Sequence, residues 1–342
     1  MTSSIHTVPI IQVQSILQGA AHQGRDVPAI LRQAGISPEL LQSPRSRVSQ
    51  QQYSRLIRVL RRVMRDELWG LCQRPLPIGS FAQATQLMVR AGTLGDALRA
   101  GSHFYHLLLD DFVIRILSRN GTARVRVISR RQPNPRHQYA KRTAMFFTFG
   151  LASWLVERRL PVTHVCIEEP ALRERADTGK LFQAPIHYDQ HYTELCFNAD
   201  WLQYPVRQDA FSLREFLQQA PTNLLVKYRD QAVLSERLRR YVRRHLDTRV
   251  PSLNEVAAEL CVTPQTLRRR LRDEGEGYQT IKDEVRRDAA LHLLSQPDLS
   301  LVEIANRTGF SEPSTFHRAF KKWTGLAPQA YRQTVLAPGR RD

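Results

Sequence analysis

Two stretches near the C-terminus repeat one pattern, and this repeat limits the possible fold more than any other feature of the chain. Residues 253–272 read LNEVAAELCVTPQTLRRRLR, and residues 301–320 read LVEIANRTGFSEPSTFHRAF. With one extra residue in the second copy, both share an early glutamate, a small alanine and a later hydroxyl residue. Both then carry two large apolar residues four positions apart, which are Leu267 with Leu271 and Phe316 with Phe320. The repeat predicts two helix-turn-helix units, near 253–274 and 301–324.

The residues between the two helices of each copy suit a tight turn. Gly309 is free to take the left-handed backbone conformation that such a turn needs. Cys261 stands where glycine is preferred, so the first turn departs from the ideal. Thr263 and Ser311 are expected to cap the second helices, and Pro264 suits a first helical turn.

Each second helix divides into two faces when its residues are placed at intervals of about 100°. The two leucines, or the two phenylalanines with Trp323, form a buried stripe. The opposite face of the first copy carries Gln265, Arg268, Arg269 and Arg272. The opposite face of the second copy carries Ser314, His317, Arg318 and Lys321. If only one helix had such a face, a charged surface exposed to solvent would be the simpler explanation. Two copies in matched positions favour contact with a polyanion.

The stretch between the two copies predicts one long helix. Residues 278–295 (YQTIKDEVRRDAALHLLS) place Ile281, Val285, Ala289 and Leu293 at four-residue intervals. A helix of 18 residues is about 27 Å long. Such a strut is able to hold two recognition helices near the spacing of successive major grooves, about 34–36 Å. From Ala232 onward the chain is expected to be wholly helical.

The first half reads as mixed α and β. Helical periodicity covers 8–23, 49–65, 80–91, 94–109 and 139–158, and strand patterns cover 112–117, 123–129, 163–169 and 194–202. Asn120-Gly121 between the first two strands predicts a hairpin turn. The fold class expected is therefore an α+β N-terminal domain followed by an all-α tandem helix-turn-helix domain; the family resemblance described below implies that the first is a regulatory domain. The predicted boundaries are 1–207 for the first domain, 208–232 for a linker and 233–335 for the second domain.

The composition of the chain is consistent with a polyanionic partner but does not by itself identify one. The 342 residues carry a formal net charge of +18, which attracts polyanions, but most of the excess precedes residue 230. Four scattered cysteines show no metal or disulfide spacing, which is typical of a reducing cytoplasm. The longest apolar run, at 144–156, is shorter than the roughly 20 residues of a membrane span. A cytoplasmic protein without a membrane partner is expected.

The segment from about 236 to 334 resembles the AraC/XylS family of bacterial transcription regulators. The resemblance rests on the tandem repeat, EVRRDAALHLL, IANRTGFSEPSTFHRAFKKWTG and the closing GLAPQAYR. It implies that one helix of each repeat enters the major groove of double-stranded promoter DNA. The implied base-reading residues are Gln265, Arg268, Arg269, Ser314, Thr315, His317 and Arg318. Arg272, Lys321 and Lys322 are placed better for phosphate contacts.

The N-terminal half is similar to the regulatory domain of a branch of that family. This branch includes ornithine-utilisation and virulence or quorum-sensing regulators, and the similarity is carried by residues 67–108 and 182–202. It implies a homodimer formed through this domain, contact with RNA polymerase and a response to a small-molecule effector whose site the sequence does not identify. No cofactor and no metal is expected.

Several motifs have a plain structural alternative. The aromatic residues Phe104, Tyr105, Phe146, Phe147 and Trp154 either line an effector pocket or form ordinary core. HYDQH at 187–191 spaces two histidines four apart, but in a loop or strand they need not converge on a metal. The run RLRRYVRR at 237–244 is a phosphate-contacting stripe or, as we favour, a solvated face around an apolar stripe. The alternative function is a DNA-targeted enzyme with a catalytic N-terminal half, for which no motif stands out.

Overall fold

A computed structural model describes residues 7–132, 134–171, 182–219, 234–274 and 276–336 of the chain. By contacts, the chain forms two compact units. The helix-turn-helix unit comprises 1–13, 28–56 and 229–342, and the sheet unit comprises 14–27 and 57–228. No helix within the described ranges is both long enough and apolar enough to cross a bilayer.

The described helices of the first half mostly follow the predicted periodicity, whereas α2 was not expected. They are α1 (Ile10–His22), α2 (Val27–Gln33), α3 (Gln50–Met64), α4 (Ser80–Val89), α5 (Leu94–Leu108), α6 (Pro135–Leu155) and α7 (Ala210–Gln219). The strands are β1 (Thr7–Pro9), β2 (Arg47–Ser49), β3 (Phe112–Arg119), β4 (Thr122–Ser129), β5 (Val162–Cys166), β6 (Ile186–His187) and β7 (Thr193–Asn198).

The sheet unit is built on five strands in the order β3-β4-β7-β5-β6. All neighbours are antiparallel except β5 and β6, which are parallel. The predicted hairpin turn is present, since Asn120 and Gly121 have φ values of 51° and 71° between the paired Arg119 and Thr122. Helix α6 contacts β4 and β7, and α5 contacts β3. The core is therefore formed between these helices and the sheet.

Two stretches of this unit differ from the sequence prediction. The strand expected over 194–202 ends at Asn198, because the Asn198 side chain accepts a hydrogen bond from the Asp200 amide and begins a 3-10 helix, Ala199–Gln203. The polar connection expected from 208 begins instead with helix α7. Its Phe216 ring stacks on Trp154 at 4.2 Å, and Leu213 is buried. The remainder of the expected linker, 220–232, lies outside the described residues.

The helix-turn-helix unit is helical from residue 234 through the described C-terminal part of the chain. Its helices are α8 (Leu234–Arg244), α9 (Leu253–Glu259), α10 (Pro264–Asp273), α11 (Tyr278–Leu294), α12 (Leu301–Arg307), α13 (Pro313–Thr324) and α14 (Pro328–Leu336). Helix α11 contacts α8, α12, α13 and α14. It is therefore the central strut that joins the two repeats, as its periodicity predicted.

The helix-turn-helix unit also contains a short N-terminal ribbon, β1 paired with β2, that the sequence did not suggest. The Thr7 hydroxyl donates to Asp288 of α11 at 2.6 Å, and the Arg47 guanidinium donates to Thr7. The buried Tyr331 hydroxyl of α14 donates to the Arg47 carbonyl at 2.7 Å. Because of these bonds, residues 1–13 and 28–56 group with 229–342. The compact units thus differ from the predicted division at 207/208.

Candidate nucleic-acid interface

The first repeat forms a helix-turn-helix whose ends are fixed by side-chain caps. At the start of α9, Ser252 and Glu255 exchange hydrogen bonds with each other's backbone amides. Cys261 occupies the turn with a φ of 52°, a left-handed conformation that costs a non-glycine residue some strain. Thr263 then caps α10 by accepting from the Thr266 amide, and Pro264 is at the first helical position. The irregular turn at Cys261, the Thr263 cap and the place of Pro264 are as the sequence predicted, whereas the capping box of α9 was not predicted.

The second repeat has the same order with one difference. Ser300 and Glu303 form a second capping box, and Gly309 has a φ of 74°. Helix α13 begins at Pro313, so its N-cap is Glu312, which makes no side-chain cap bond. The prediction that Ser311 is the cap is wrong. Proline fixes the first helical position, and the extra residue of this copy moves the serine one place outside the helix.

The apolar faces of both recognition helices, α10 and α13, are buried as predicted. Leu267, Leu271, Phe316 and Phe320 are each at most 1% exposed. Trp323 is half-buried, with its ring 5.9 Å from Phe310. Burying one large aliphatic or aromatic side chain contributes about 1.5–3 kcal/mol. These residues therefore fix which side of each helix faces away from the protein.

The residues that the sequence assigned to DNA lie on the opposite, outward faces. In α10 the exposed residues include Gln265, Arg268, Arg269 and Arg272. In α13 they include Ser314, Thr315, Arg318, Lys321 and Lys322. His317 is half-buried, because its ring lies edge-on against Phe316 at 6.1 Å. Each helix thus brings its predicted set together on its own outward face.

The cations of these two faces have no acidic partner among the residues that the structure describes. Within the described residues, Arg268, Arg269, Arg272, Arg318, Lys321 and Lys322 form no ion pair. Among the described residues, the Arg318 side chain donates one long hydrogen bond, 3.5 Å, to the Thr315 hydroxyl. The Ser314 hydroxyl lies 3.3 Å from a Glu312 carboxylate oxygen. The faces therefore present unpaired positive charge to an anionic partner.

The basic run of α8 differs from these faces. Leu238 and Val242 are buried in the core of the first repeat, which agrees with the apolar stripe expected there. Arg239, however, is buried and bonded to Glu276 and Glu284 at 2.8 Å each. The interpretation of this run as a purely solvated face is wrong at Arg239, since helix α8 packs against α11 on that side.

Arg286 positions the second repeat, and the sequence analysis did not single it out. Its guanidinium donates to the Gly309 carbonyl at 2.6 Å and stacks 4.5 Å above the Phe310 ring. A β-carbon at position 309 would approach Val250 to 2.8 Å, so the turn packs closely. No local sequence signal points to Arg286. The capping glutamates, in contrast, carry the recognisable S-x-x-E pattern of SLNE and SLVE.

Acid is expected to weaken the first turns of α9 and α12. Hydrogen bonds from the Ser252 and Ser300 amides and hydroxyls lower the pKa of Glu255 and Glu303 below the ordinary value of 4.5. A carboxylate with a lowered pKa stabilises the fold above about pH 4.5 and loses this effect as pH falls through its folded-state pKa. Thermal denaturation of a Glu255→Gln, Glu303→Gln variant measures the effect. The native chain should be more stable at pH 6, with a difference that shrinks towards pH 3. A constant difference would contradict the assignment.

The histidines of HYDQH do not form a metal centre in the described part of the chain. The His187 ring lies 5.7 Å from the His164 ring of the neighbouring strand. Across the described ranges, the side chains bring together no cluster of three or more histidines, cysteines, aspartates or glutamates able to hold a metal ion. The two strands pair through their backbones, so the ring contact follows from the sheet.

Comparison with known proteins agrees with this geometry. Residues 24–206 match the family described as the arabinose-binding domain of AraC transcription regulator, N-terminal, and residues 256–334 match a helix-turn-helix domain family. The ornithine utilization regulator of Pseudomonas aeruginosa is 26% identical over 328 residues, covering 95% of this chain and 96% of the relative. The regulator VirS of Mycobacterium tuberculosis is 40% identical over 109 residues, 32% of each chain.

A solved structure covers nearly the whole chain. It is that of the transcriptional regulator CdpR from Pseudomonas aeruginosa, with 22% identity, a TM-score of 0.33 and coverage of 97% of this chain and 99% of that one. The relatives named here are transcription regulators. The fold, the exposed helices and the family matches define a sequence-specific DNA-binding transcription regulator with a tandem helix-turn-helix. The chain belongs to the AraC family.

Proposed function

We propose that α10 and α13 enter successive major-groove segments on one side of promoter DNA and that named residues on their outward faces read the sequence. The observation that carries the proposal is the pair of exposed cationic faces, which lack ion-pair partners among the described residues. Each face lies opposite a buried apolar stripe in a matched repeat. A phosphate backbone is the partner that such a pair of faces fits.

The chemistry of the side chains assigns their roles. Arginine bonds guanine with two hydrogen bonds, and glutamine bonds adenine in the same way. Base contacts are therefore assigned to Gln265, Arg268, Arg269, His317 and Arg318. Ser314 and Thr315 are short hydroxyl donors at the start of α13 that suit a base or a phosphate. Arg272, Lys321 and Lys322 hold the helices on phosphates, which fixes the register.

We further propose that the regulator works as a homodimer in the cytoplasm and that the sheet unit responds to a small molecule. The family match over 24–206 supports a regulatory role for this part of the chain, because the family description names a sugar-binding domain. Similarity to an ornithine utilization regulator supports control of amino-acid utilisation, and virulence or quorum-sensing control is the other process proposed. The bound regulator contacts RNA polymerase at its promoters.

Selection of bound sequences from a random DNA library by the full chain tests this function. The selected sites should contain two preferred blocks whose centres lie about 10–10.5 base pairs apart, because one side of the duplex repeats once each helical turn. The selected DNA should also bind at least about a thousandfold more tightly than random DNA at physiological salt. Recovery of no preferred sequence, with equal binding to all DNA, would contradict a sequence-specific regulator.

A further inference from the structure

The sheet unit contains a partly open, mainly apolar cavity of about 180 Å³. Residues of α3, α4, α5, α6 and α7 line it together with strand β3. Two of the aromatic residues singled out in the sequence, Tyr105 and Phe147, contribute to its wall. Phe146 and Trp154 instead stack on Phe182 and Phe216, and Phe104 lies edge-on to Tyr105. Tyr105 and Phe147 therefore line a cavity, whereas the other three residues pack against neighbouring rings.

The volume limits the size of an occupant. An apolar cavity of about 150 Å³ is large enough to bind benzene, whereas sites for drug-sized ligands measure about 300–1,000 Å³. The cavity thus suits a single ring or a short acyl group. A long fatty-acid chain exceeds it.

Charge limits the occupant further. The two charged residues in the wall, Arg61 and Glu67, already pair with each other at 3.1 Å. Glu67 also accepts hydrogen bonds from the amides of Gly79 and Phe81. Because these two charges are already paired with each other, the wall offers no unpaired charge to compensate the lost hydration of an ionic ligand of either sign. A neutral molecule avoids this penalty.

The hydroxyl of Tyr105 supplies a polar contact. It forms no hydrogen bond with any residue that the structure describes, although the side chain lies against the cavity. Burial, followed by the charge of Glu67, raises the pKa of Tyr105 above its ordinary value. The phenol therefore keeps its proton and is a hydrogen-bond donor. A ligand with a hydrogen-bond acceptor would satisfy it.

We propose that this cavity binds a small, neutral, mainly apolar molecule whose one hydrogen-bond acceptor meets the Tyr105 hydroxyl, as the effector of the regulator. This inference rests on the proposed response to a small molecule and names the ligand class. Leu217 of α7 is part of the wall. Since α7 is the last described helix before residues 220–233, which lead along the chain to α8, an occupant touches the element next to the interdomain connection.

Three probes of nearly equal shape test the ligand class on the full chain without DNA, by ligand-observed nuclear magnetic resonance titration. Acetophenone is neutral and carries an acceptor, α-methylstyrene replaces the carbonyl oxygen by a methylene group, and benzoate carries a charge. Acetophenone is expected to bind saturably, with α-methylstyrene about five- to tenfold weaker and benzoate weaker still at pH 7. Failure of acetophenone to bind, or equal or tighter binding of either other probe, would overturn the proposal.

Substitutions at two positions test whether the probes bind in this cavity. Tyr105→Phe should lower the affinity for acetophenone to that for α-methylstyrene and leave the latter unchanged. Tyr192→Phe, outside the cavity wall, is the matched control and should change neither. Ala144→Leu should fill the cavity, weaken acetophenone binding at least tenfold and keep or raise the melting temperature. Unchanged binding in both Tyr105→Phe and Ala144→Leu would overturn the proposal. Because DNA is absent, a failure here is distinct from a failure of DNA binding.

Discussion

Replacing Arg239 with methionine is expected to destabilise the helix-turn-helix unit by about 3–5 kcal/mol. The Arg239 guanidinium donates to both Glu276 and Glu284 at 2.8 Å, and its side chain is only 5% exposed. Methionine has a similar length but no charge, so the buried carboxylate of Glu276, which is 7% exposed, would lose its cationic partner. An uncompensated buried charge is among the most destabilising changes that a single substitution makes.

The electrostatics of Arg239 agree with this expectation. Burial alone would lower the pKa of the guanidinium, but the charges and hydrogen bonds of Glu284 and Glu276 outweigh it and raise the pKa. The cation and its two acidic partners therefore stabilise one another in the folded state. The pair joins α8 to the region around the start of α11, so its loss should loosen the core of the first repeat.

Hydrogen exchange of backbone amides in α8, α10 and α11 measures the stability of the helix-turn-helix unit separately from that of the sheet unit. Arg237→Met is a matched control on the same helix, since Arg237 is exposed and forms no ion pair among the described residues. We expect that control to change the opening free energy by less than about 0.5 kcal/mol. Equal protection of these amides in Arg239→Met and Arg237→Met would show that the buried ion pairs of Arg239 do not stabilise this core.

A double Arg269→Ala, Arg318→Ala variant is expected to lose about 2–6 kcal/mol of binding free energy at a selected site. Each arginine that bonds a base with two hydrogen bonds contributes about 1–3 kcal/mol. The two lie on different recognition helices, so their losses should add. Binding to random DNA should fall much less, because phosphate contacts supply most of that affinity.

Binding titrations on selected and random DNA, at several salt concentrations, separate the two kinds of contact. Lys322→Ala is the comparison for a phosphate contact and should weaken binding to both DNAs similarly, with a salt slope smaller by about one. Arg237→Ala, an exposed arginine of α8 outside both recognition helices, should leave the preference for the selected site unchanged. Equal losses of the double variant on both DNAs would contradict base contacts by Arg269 and Arg318.

Elements with a local physical signal could be predicted from the sequence. The bounds of α5 and α11 follow from apolar periodicity, and the β3–β4 turn follows from Asn120-Gly121. The outward placement of Arg268 and Arg318 follows from two buried pairs, Leu267 with Leu271 and Phe316 with Phe320, which are each four residues apart and define the inward face of the helix. The spacing of apolar residues decides which face of a helix is buried. The exposed faces of α10 and α13 could therefore be predicted from the sequence alone.

Features that depend on distant residues could not be predicted in this way. The β1–β2 ribbon joins two three-residue strands that are 40 residues apart, and such short strands have no periodicity to read. The role of Arg239 depends on carboxylates 37 and 45 residues away. Ser311 has the right chemistry for a cap, but the position of Pro313 decides where α13 begins. The cavity is likewise formed by residues from five helices, from strand β3 and from the stretch 67–76, which are far apart in the sequence.

Methylation protection of guanine N7 atoms on a selected site, with the full chain bound, tests most directly whether both helices enter the major groove. Guanine N7 lies in that groove, so an inserted helix shields it from the reagent. We predict two protected clusters, centred about 10–10.5 base pairs apart on one side of the duplex, the first lost in Arg269→Ala and the second in Arg318→Ala. A single cluster, or protection that neither substitution alters, would contradict the paired insertion of α10 and α13.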